Sequence, residues 1–189
     1  MSSLNGSLLQ LVGGCVIKSN SVTIAIDPAT GVSSPTGVAV IHDATNTILG
    51  TYTFPAKEKK LEHRIKRISE GVEGVVNFYS EHFDVRVFIE YFIMRGKGGE
   101  MLQRLIGSIM GRVPLSVPIK HVHNITLKKV VAGDGHADKA AVGQGVLRHF
   151  SGHLTSEPMV SRLILLKRWD ELDSLAIGIA GMAGHGANK

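Results

Sequence analysis

The sequence predicts one mixed α/β domain built around a single five-stranded sheet. Three short runs of apolar or alternating residues follow one another early in the chain, and apolar runs then alternate with stretches of helical periodicity. The chain has 189 residues, of which 43% are hydrophobic, so it is long enough to bury a core and short enough to form one domain. We therefore expect three antiparallel strands followed by parallel strands, with helices flanking the sheet.

The first three strands are predicted at 22–26, 37–42 and 47–54. The run Val22–Ile26 is rich in β-branched residues and ends at Asp27-Pro28, a turn signal. Short connections join the three runs, which favours an antiparallel meander. Residues 1–21, rich in Ser, Asn and Gly, are expected to form a flexible lead-in to a domain over 22–183.

The later elements are predicted to alternate between helix and strand. Apolar residues recur at helical spacing between residues 57 and 82, and the same pattern returns near the middle and at the end of the chain. The complete prediction is a helix over 57–82, a strand over 85–89, a helix over 100–112, a strand over 117–122, a helix over 137–150, a loop over 151–158 and a helix over 170–180.

Composition excludes several classes of protein. Cys15 is the single cysteine, so an intramolecular disulfide or a cysteine metal cage cannot form. The most apolar stretch, 175–184, has ten residues, against roughly 20 for a membrane span. Lys18 follows the apolar N-terminal patch, whereas a signal peptide carries its charge in front. We expect an intracellular, non-secreted protein without a membrane partner, and its net charge of +5 permits a polyanionic ligand.

Four acidic residues stand at the ends of predicted elements. Asp27 follows the first strand, Glu90 follows the strand over 85–89, and Asp170 and Asp173 share one face of the last helix. Singly, such residues are mostly turn or solvent-facing groups. Together they suit hard divalent cations, which need carboxylate oxygens from several elements. Two such ions can stabilise the attacking and leaving oxygens of a phosphodiester displacement.

With these acidic residues in place, the sequence resembles the RuvC-type Holliday-junction resolvases of the ribonuclease H-like nuclease and integrase superfamily. The resemblance covers 22–180. It is carried by Ile26-Asp27-Pro28, Thr36-Gly37, Phe88-Ile89-Glu90, the basic stretch from Lys128 to Lys139, and the run from Asp170 to Ile177. It implies a ribonuclease H-like fold.

The resemblance also implies roles for individual residues. Asp27, Glu90, Asp170 and Asp173 match the family's metal-binding acids, with Mg²⁺ as cofactor, two ions per site, and Mn²⁺ as a substitute. Lys128 and Lys139 match its two active-site lysines. Further DNA contacts are expected from Lys129 and from the glycine-rich loop that holds Arg95 and Lys97. The neighbouring acids Asp134, Asp138 and Glu171 fall outside the matched positions and are expected to be supporting or solvent-facing groups.

The function implied is that of a structure-selective DNA endonuclease that resolves four-way junctions by paired nicks as a homodimer, in a bacterial or bacteriophage-like setting. The helix over 100–112 is the expected dimer interface, because Gly107 and Gly111 permit close approach; on pattern alone it could equally be buried on its own sheet. The glycine-rich loop matches no phosphate-binding motif, so no nucleotide cofactor is expected. The alternatives are a broader branched-DNA or RNA–DNA hybrid nuclease, and a non-catalytic actin-like ATP-binding module.

Two further features of the sequence have more than one interpretation. The helix over 57–82 begins with a run of lysines and arginines, which fits either a solvated face or contact with phosphates. Nine histidines invite a metal hypothesis, but His149 and His153 lack the glutamate of a zinc motif, which disfavours a histidine metal site.

Overall fold

A mixed five-stranded sheet forms the centre of the computed structural model, which describes residues 9–12, 15–18, 20–31, 34–55, 57–91 and 97–185. A separate antiparallel hairpin precedes it, formed by β1 (Leu9–Val12) and β2 (Cys15–Lys18). The central strands are β3 (Ser21–Asp27), β4 (Thr36–His42), β5 (Thr47–Phe54), β6 (Asp84–Tyr91) and β7 (Ile119–His123). Their order is β5–β4–β3–β6–β7. β3, β4 and β5 pair antiparallel, whereas β6 and β7 add in parallel, which confirms the predicted fold class.

Helices cover both faces of this sheet. They are α1 (Leu61–Ser80), α2 (Lys97–Met110), α3 (Asn124–Ala132), α4 (Lys139–His149), α5 (Ser156–Leu165) and α6 (Trp169–Ala180), and a π-helical turn follows at Gly181–His185. α1 and α2 pack on one face, and α3 to α6 pack on the other. None of the helices in the described part of the chain is long and apolar enough to cross a membrane.

Strand alternation decides which side chains enter each core. Val22, Ile24 and Ile26 of β3 are fully buried beneath α1 and α2, whereas Ala25 faces the helices of the other layer. Since successive side chains point to opposite faces, Asp27 belongs to the face covered by α6. Each buried branched side chain stabilises the fold by roughly 1.5–3 kcal/mol, so this alternation fixes the register strongly.

α6 is the most buried helix of its layer. Nine of its twelve residues are buried, and they pack on β3 and β4. A Cβ at Gly178 would lie 2.8 Å from Ile41 and 3.3 Å from Ala25, so the glycine allows α6 to approach the sheet closely. The acidic first turn is thereby held at the sheet edge where β3 ends.

The structure differs from the sequence prediction at two helices. α3 was not predicted, because its nine residues include adjacent lysines and end at Gly133, which adopts a left-handed conformation with φ 81°. α5 begins inside the predicted loop, since Pro158 lies in the first helical turn, where a missing N–H is tolerated. The hairpin of β1 and β2 was not predicted either.

The dimer interface predicted for this helix stays a prediction, but it cannot use the apolar stripe of α2. Leu102, Leu105, Ile106 and Ile109 are buried in this chain's own core, together with α1 and the sheet. Gly107 lies on the outward side, where an added Cβ would meet nothing within 4 Å among the described residues. The open face of α2 is therefore the glycine face, and it is separate from the apolar stripe.

Candidate active site

Strand register places Asp27 beside Glu90. Ile26 and Ile89 are partners in the parallel β3–β6 pair, so the residues that follow them lie level at the carboxyl ends of neighbouring strands. Both follow a residue that faces α1 and α2, so both are directed to the α6 side. The two carboxyl groups lie close enough for each to alter the pKa of the other. The sheet therefore builds one half of the site.

α6 contributes the other half through Asp170 and Asp173. Gly37, the β4 partner of Asp27, faces the first turn of this helix. A Cβ at Gly37 would lie 2.6 Å from the carbonyl carbon of Asp170 and closer still to its oxygen. Because glycine lacks this atom, the start of α6 rests against β4 next to Asp27. This contact gives a physical reason for glycine at position 37.

The second helical layer supplies two lysines and an amide. Lys139, at the start of α4, places its Nζ 3.0 Å from Oδ2 of Asp173. Asn124, at the start of α3, donates from Nδ2 to Oε1 of Glu90 over 2.5 Å. Lys128 lies one helical turn after Asn124 on the same helix face. The cation and amide groups therefore face the carboxylates directly.

All six predicted catalytic residues line one cleft of about 270 Å³. Its lining consists of Asp27, Pro28, Ala29, Ser34, Glu90, Asn124, Leu127, Lys128, Lys139, Val142, Asp170 and Asp173. Lys129 is exposed and does not line the cleft. Arg95 lies outside the described residues, and of Lys97 the structure describes the backbone as the first residue of α2.

Burial makes this cleft electrostatically unfavourable for negative charge. Desolvation and the neighbouring carboxylates of Glu90, Asp173 and Asp170 raise the pKa of Asp27 well above its usual range. Burial likewise raises the pKa of Glu90 and of Asp170, the latter against the attraction of Lys139. Burial lowers the pKa of Lys139, but the hydrogen bond and charge of Asp173 outweigh it and leave that pKa raised. The surroundings of Asp27, Glu90 and Asp170 therefore disfavour the ionised forms of these three carboxyl groups.

The donor set fits a hard divalent cation. Carboxylate oxygens converge from β3, β6 and α6, and none of the described residues that line the cleft carries a thiol. In the described ranges, however, no three acidic, histidine or cysteine side chains already form a metal cage. Asp173 is paired with Lys139, and the carboxyl groups of Asp27 and Glu90 lie next to each other.

The sequence analysis missed two polar residues that position parts of the site through hydrogen bonds and an ion pair. Asn124 fixes Glu90, and the weak helical pattern of α3 gave no signal for it. Arg168 forms an ion pair with the buried carboxylate of Glu171 and donates from Nη2 to Oγ1 of Thr53 over 3.3 Å. Arg168 thus fastens the start of α6 to the end of β5.

The three neighbouring acids Asp134, Asp138 and Glu171 do not line the cleft, and each has a local partner. Glu171 is buried in its pair with Arg168. Asp138 caps α4 by accepting from the amide of Ala141 over 2.8 Å, and Asp134 accepts from the amide of His136 over 2.9 Å. His149 bonds to Asn46 through Nε2 over 2.9 Å, away from the cleft.

The described residues have an α/β fold of the ribonuclease H-like type, and acidic residues lie at the carboxyl ends of two central strands and on the last helix. No family model and no curated protein matches the sequence. Among solved structures the chain is similar to Thermus thermophilus RuvC, with a TM-score of 0.64 and 18% identity over 87% of this chain and 98% of that one. RuvC from the same organism in complex with a Holliday junction substrate gives 0.62 and 19% over 88% and 98%.

A human cytomegalovirus terminase nuclease domain, soaked with Mn and bound to an inhibitor, gives a TM-score of 0.47 and 14% identity over 90% of this chain and 89% of that one. The two RuvC structures confirm the predicted fold: this chain has the fold of RuvC over nearly the whole length of that protein.

Proposed function

We propose that this protein is a metal-dependent endonuclease that resolves four-way DNA junctions. The observation that carries the proposal is the meeting of Asp27, Glu90, Asp170 and Asp173 with Lys128 and Lys139 in one cleft of a RuvC fold. The RuvC structure with a Holliday junction substrate supports branched DNA as the ligand. The basic sequence suits a phosphate backbone.

The four carboxylates would hold Mg²⁺, two ions per site, with Mn²⁺ as a substitute. When bound, these ions would activate water and stabilise charge on the phosphate oxygens. The chain's own residues would position the reacting groups and neutralise their charges. Asn124 keeps Glu90 oriented, and burial of Asp27 makes its ionised form strongly dependent on a cation. Lys139 pairs with Asp173 until a phosphate enters, and its ammonium can then contact the phosphate as a point charge.

We propose a homodimer as the active assembly. A four-way junction presents two equivalent strands, and a twofold-symmetric protein matches them with two clefts. Since the apolar stripe of α2 is buried in the core, the interface would use the outward face with Gly107 and Gly111. The open space above Gly107 supports this choice.

Cleavage of a synthetic four-way junction, beside a linear duplex and an RNA–DNA hybrid of equal length, tests the proposal. The wild-type protein should cut the junction in Mg²⁺ or Mn²⁺ and be inactive in EDTA. Asp173→Asn should cut at least 100-fold more slowly while binding the junction normally, because affinity depends on phosphate contacts. Glu81→Gln, which removes an exposed carboxylate at the end of α1, is the matched control.

Other outcomes contradict the proposal. Near-normal cleavage by Asp173→Asn would contradict the proposed metal-binding role of α6. Preferential cleavage of the hybrid would favour a hybrid nuclease, and ATP binding without cleavage would favour the actin-like alternative.

A further inference from the structure

The charges of α1 and the segment before it are separated by sign. Residues 57–67 hold six lysines and arginines against two glutamates, whereas 68–84 hold four acidic residues and no lysine or arginine. An ordinary solvated helix mixes the two signs along its length. Positive charge is concentrated before α1 and in its first two turns, and negative charge follows from the middle of the helix onward.

That order opposes the stability of the helix. The N-terminus of a helix carries partial positive charge, so lysines there are unfavourable by a few tenths of a kcal/mol each, and acidic residues near the C-terminus are unfavourable as well. Helix stability therefore does not account for the placement of the lysines. Their placement suits an interaction with negative charge outside the protein.

Sheet register brings this positive end to the edge that holds the active site. Asp27 is the partner of Gly37 on β4, and Gly37 is the partner of Thr53 on β5. Thr53 thus lies two strands, roughly 10 Å, from Asp27. β5 ends at Phe54, and the chain passes directly through Lys57 into α1. Arg168, which bonds to Thr53 and precedes Asp170, lies between the two regions.

The positive groups at this end are free to bind a ligand. Lys57, Lys59 and Lys60 are exposed, and none forms an ion pair with a described residue. Nε of Arg64 is buried without a hydrogen-bond partner. Farther along the helix the cations are already paired, Lys66 with Glu70 and Arg67 with Glu58. The exposed Glu62 is the one carboxylate in the first turn.

We propose that Lys57, Lys59, Lys60 and Arg64, the basic end of α1, bind the phosphates of a duplex arm outside the cleft, on the β5 side. This proposal rests on the proposed function, because it takes the cleft as the position of the cut. Four extended residues beyond Thr53 reach roughly 13 Å. The basic end therefore lies on the order of 10–25 Å from Asp27, or about three to seven base pairs along an arm at ~3.4 Å each. It fixes the direction of one arm relative to the cut.

Junction binding by Lys59→Gln/Lys60→Gln in EDTA, measured by fluorescence anisotropy over a range of salt concentrations, tests this proposal. Lys66→Gln/Arg104→Gln is the control, since it removes the same charge from two exposed cations that are paired with glutamates. The test variant should bind about tenfold more weakly. The slope of log K against log salt should fall by about 2, at ~0.9 per phosphate. Its single-turnover cleavage rate at saturation should stay normal.

Phosphate-ethylation interference then locates the contact. Wild-type protein should show interference about three to seven nucleotides from the scissile phosphate, and this signal should vanish in the test variant and persist in the control. If wild-type protein cuts the junction but the test variant binds like the control with an unchanged slope, this proposal is overturned and the proposed function stands. A wild-type protein that binds no branched DNA overturns both.

Discussion

Replacing Gly37 with alanine tests whether the contact between β4 and α6 positions the acidic residues. The new Cβ would lie 2.6 Å from the carbonyl carbon of Asp170, whereas ordinary van der Waals contact begins at 3.4 Å. The obstacle is backbone and not the end of a flexible side chain, so the start of α6 must move by about 1 Å. That movement displaces both Asp170 and Asp173 from Asp27.

A displacement of this size has separate effects on rate and stability. Misplacing reacting groups by about 1 Å can lower a rate by about 100-fold, and overpacking typically destabilises a fold by about 1–3 kcal/mol. Single-turnover cleavage should therefore fall about 100-fold while the protein stays folded and binds the junction normally. Gly107→Ala is the control, because its Cβ enters open space and alanine favours the helix by about 1 kcal/mol. If Gly37→Ala cuts at the rate of this control, the contact does not position α6.

Three further predictions concern charge, orientation and assembly. Asp27→Asn should raise the melting temperature of the metal-free protein at pH 8 but not at pH 4. The folded protein raises the pKa of the Asp27 carboxyl, so this group lowers stability as pH rises from its ordinary pKa through its pKa in the folded state. Equal effects of the substitution at both pH values would contradict this prediction. Asn124→Ala should slow cleavage about tenfold without weakening junction binding, because Glu90 loses a hydrogen-bond donor; an unchanged rate would remove its positioning role. Gly107→Val should stay folded, sediment as a monomer, and relax a cruciform plasmid instead of linearising it; a dimer that still linearises it would place the interface elsewhere.

The sheet and four of the six helices could be predicted from the sequence because their periodicity is strong. Two-residue alternation and β-branched runs mark β3 to β6, and the long apolar stripes mark α1 and α2. α3 and α5 are short, and each contains residues that resemble a loop: the lysine pair in α3 and Pro158 in α5. Their helical state depends on packing against α4 and α6, which a local pattern does not contain.

The acidic residues of the site could be located because each ends a recognisable element. Strand ends gather at one sheet edge, so Asp27 and Glu90 were expected to meet there. Asn124 and Arg168 could not be found in this way, because their roles depend on which side chain faces them across the fold. The buried stripe of α2 shows a further limit of sequence-based prediction. Periodicity reveals that a helix has an apolar face, but not whether this chain or a second copy covers that face.

The burial of α6 has a consequence for how the active-site cleft unfolds. Local unfolding starts where few apolar groups are buried, whereas central elements open only with the whole domain. Two of the four proposed acidic ligands are carried on a helix whose apolar residues fill the core. Amide hydrogens of α6 should therefore exchange among the slowest in the protein, and cleavage and circular dichroism should disappear at the same denaturant concentration. The site is a preformed part of the cooperative folding unit, and substrate does not have to assemble it.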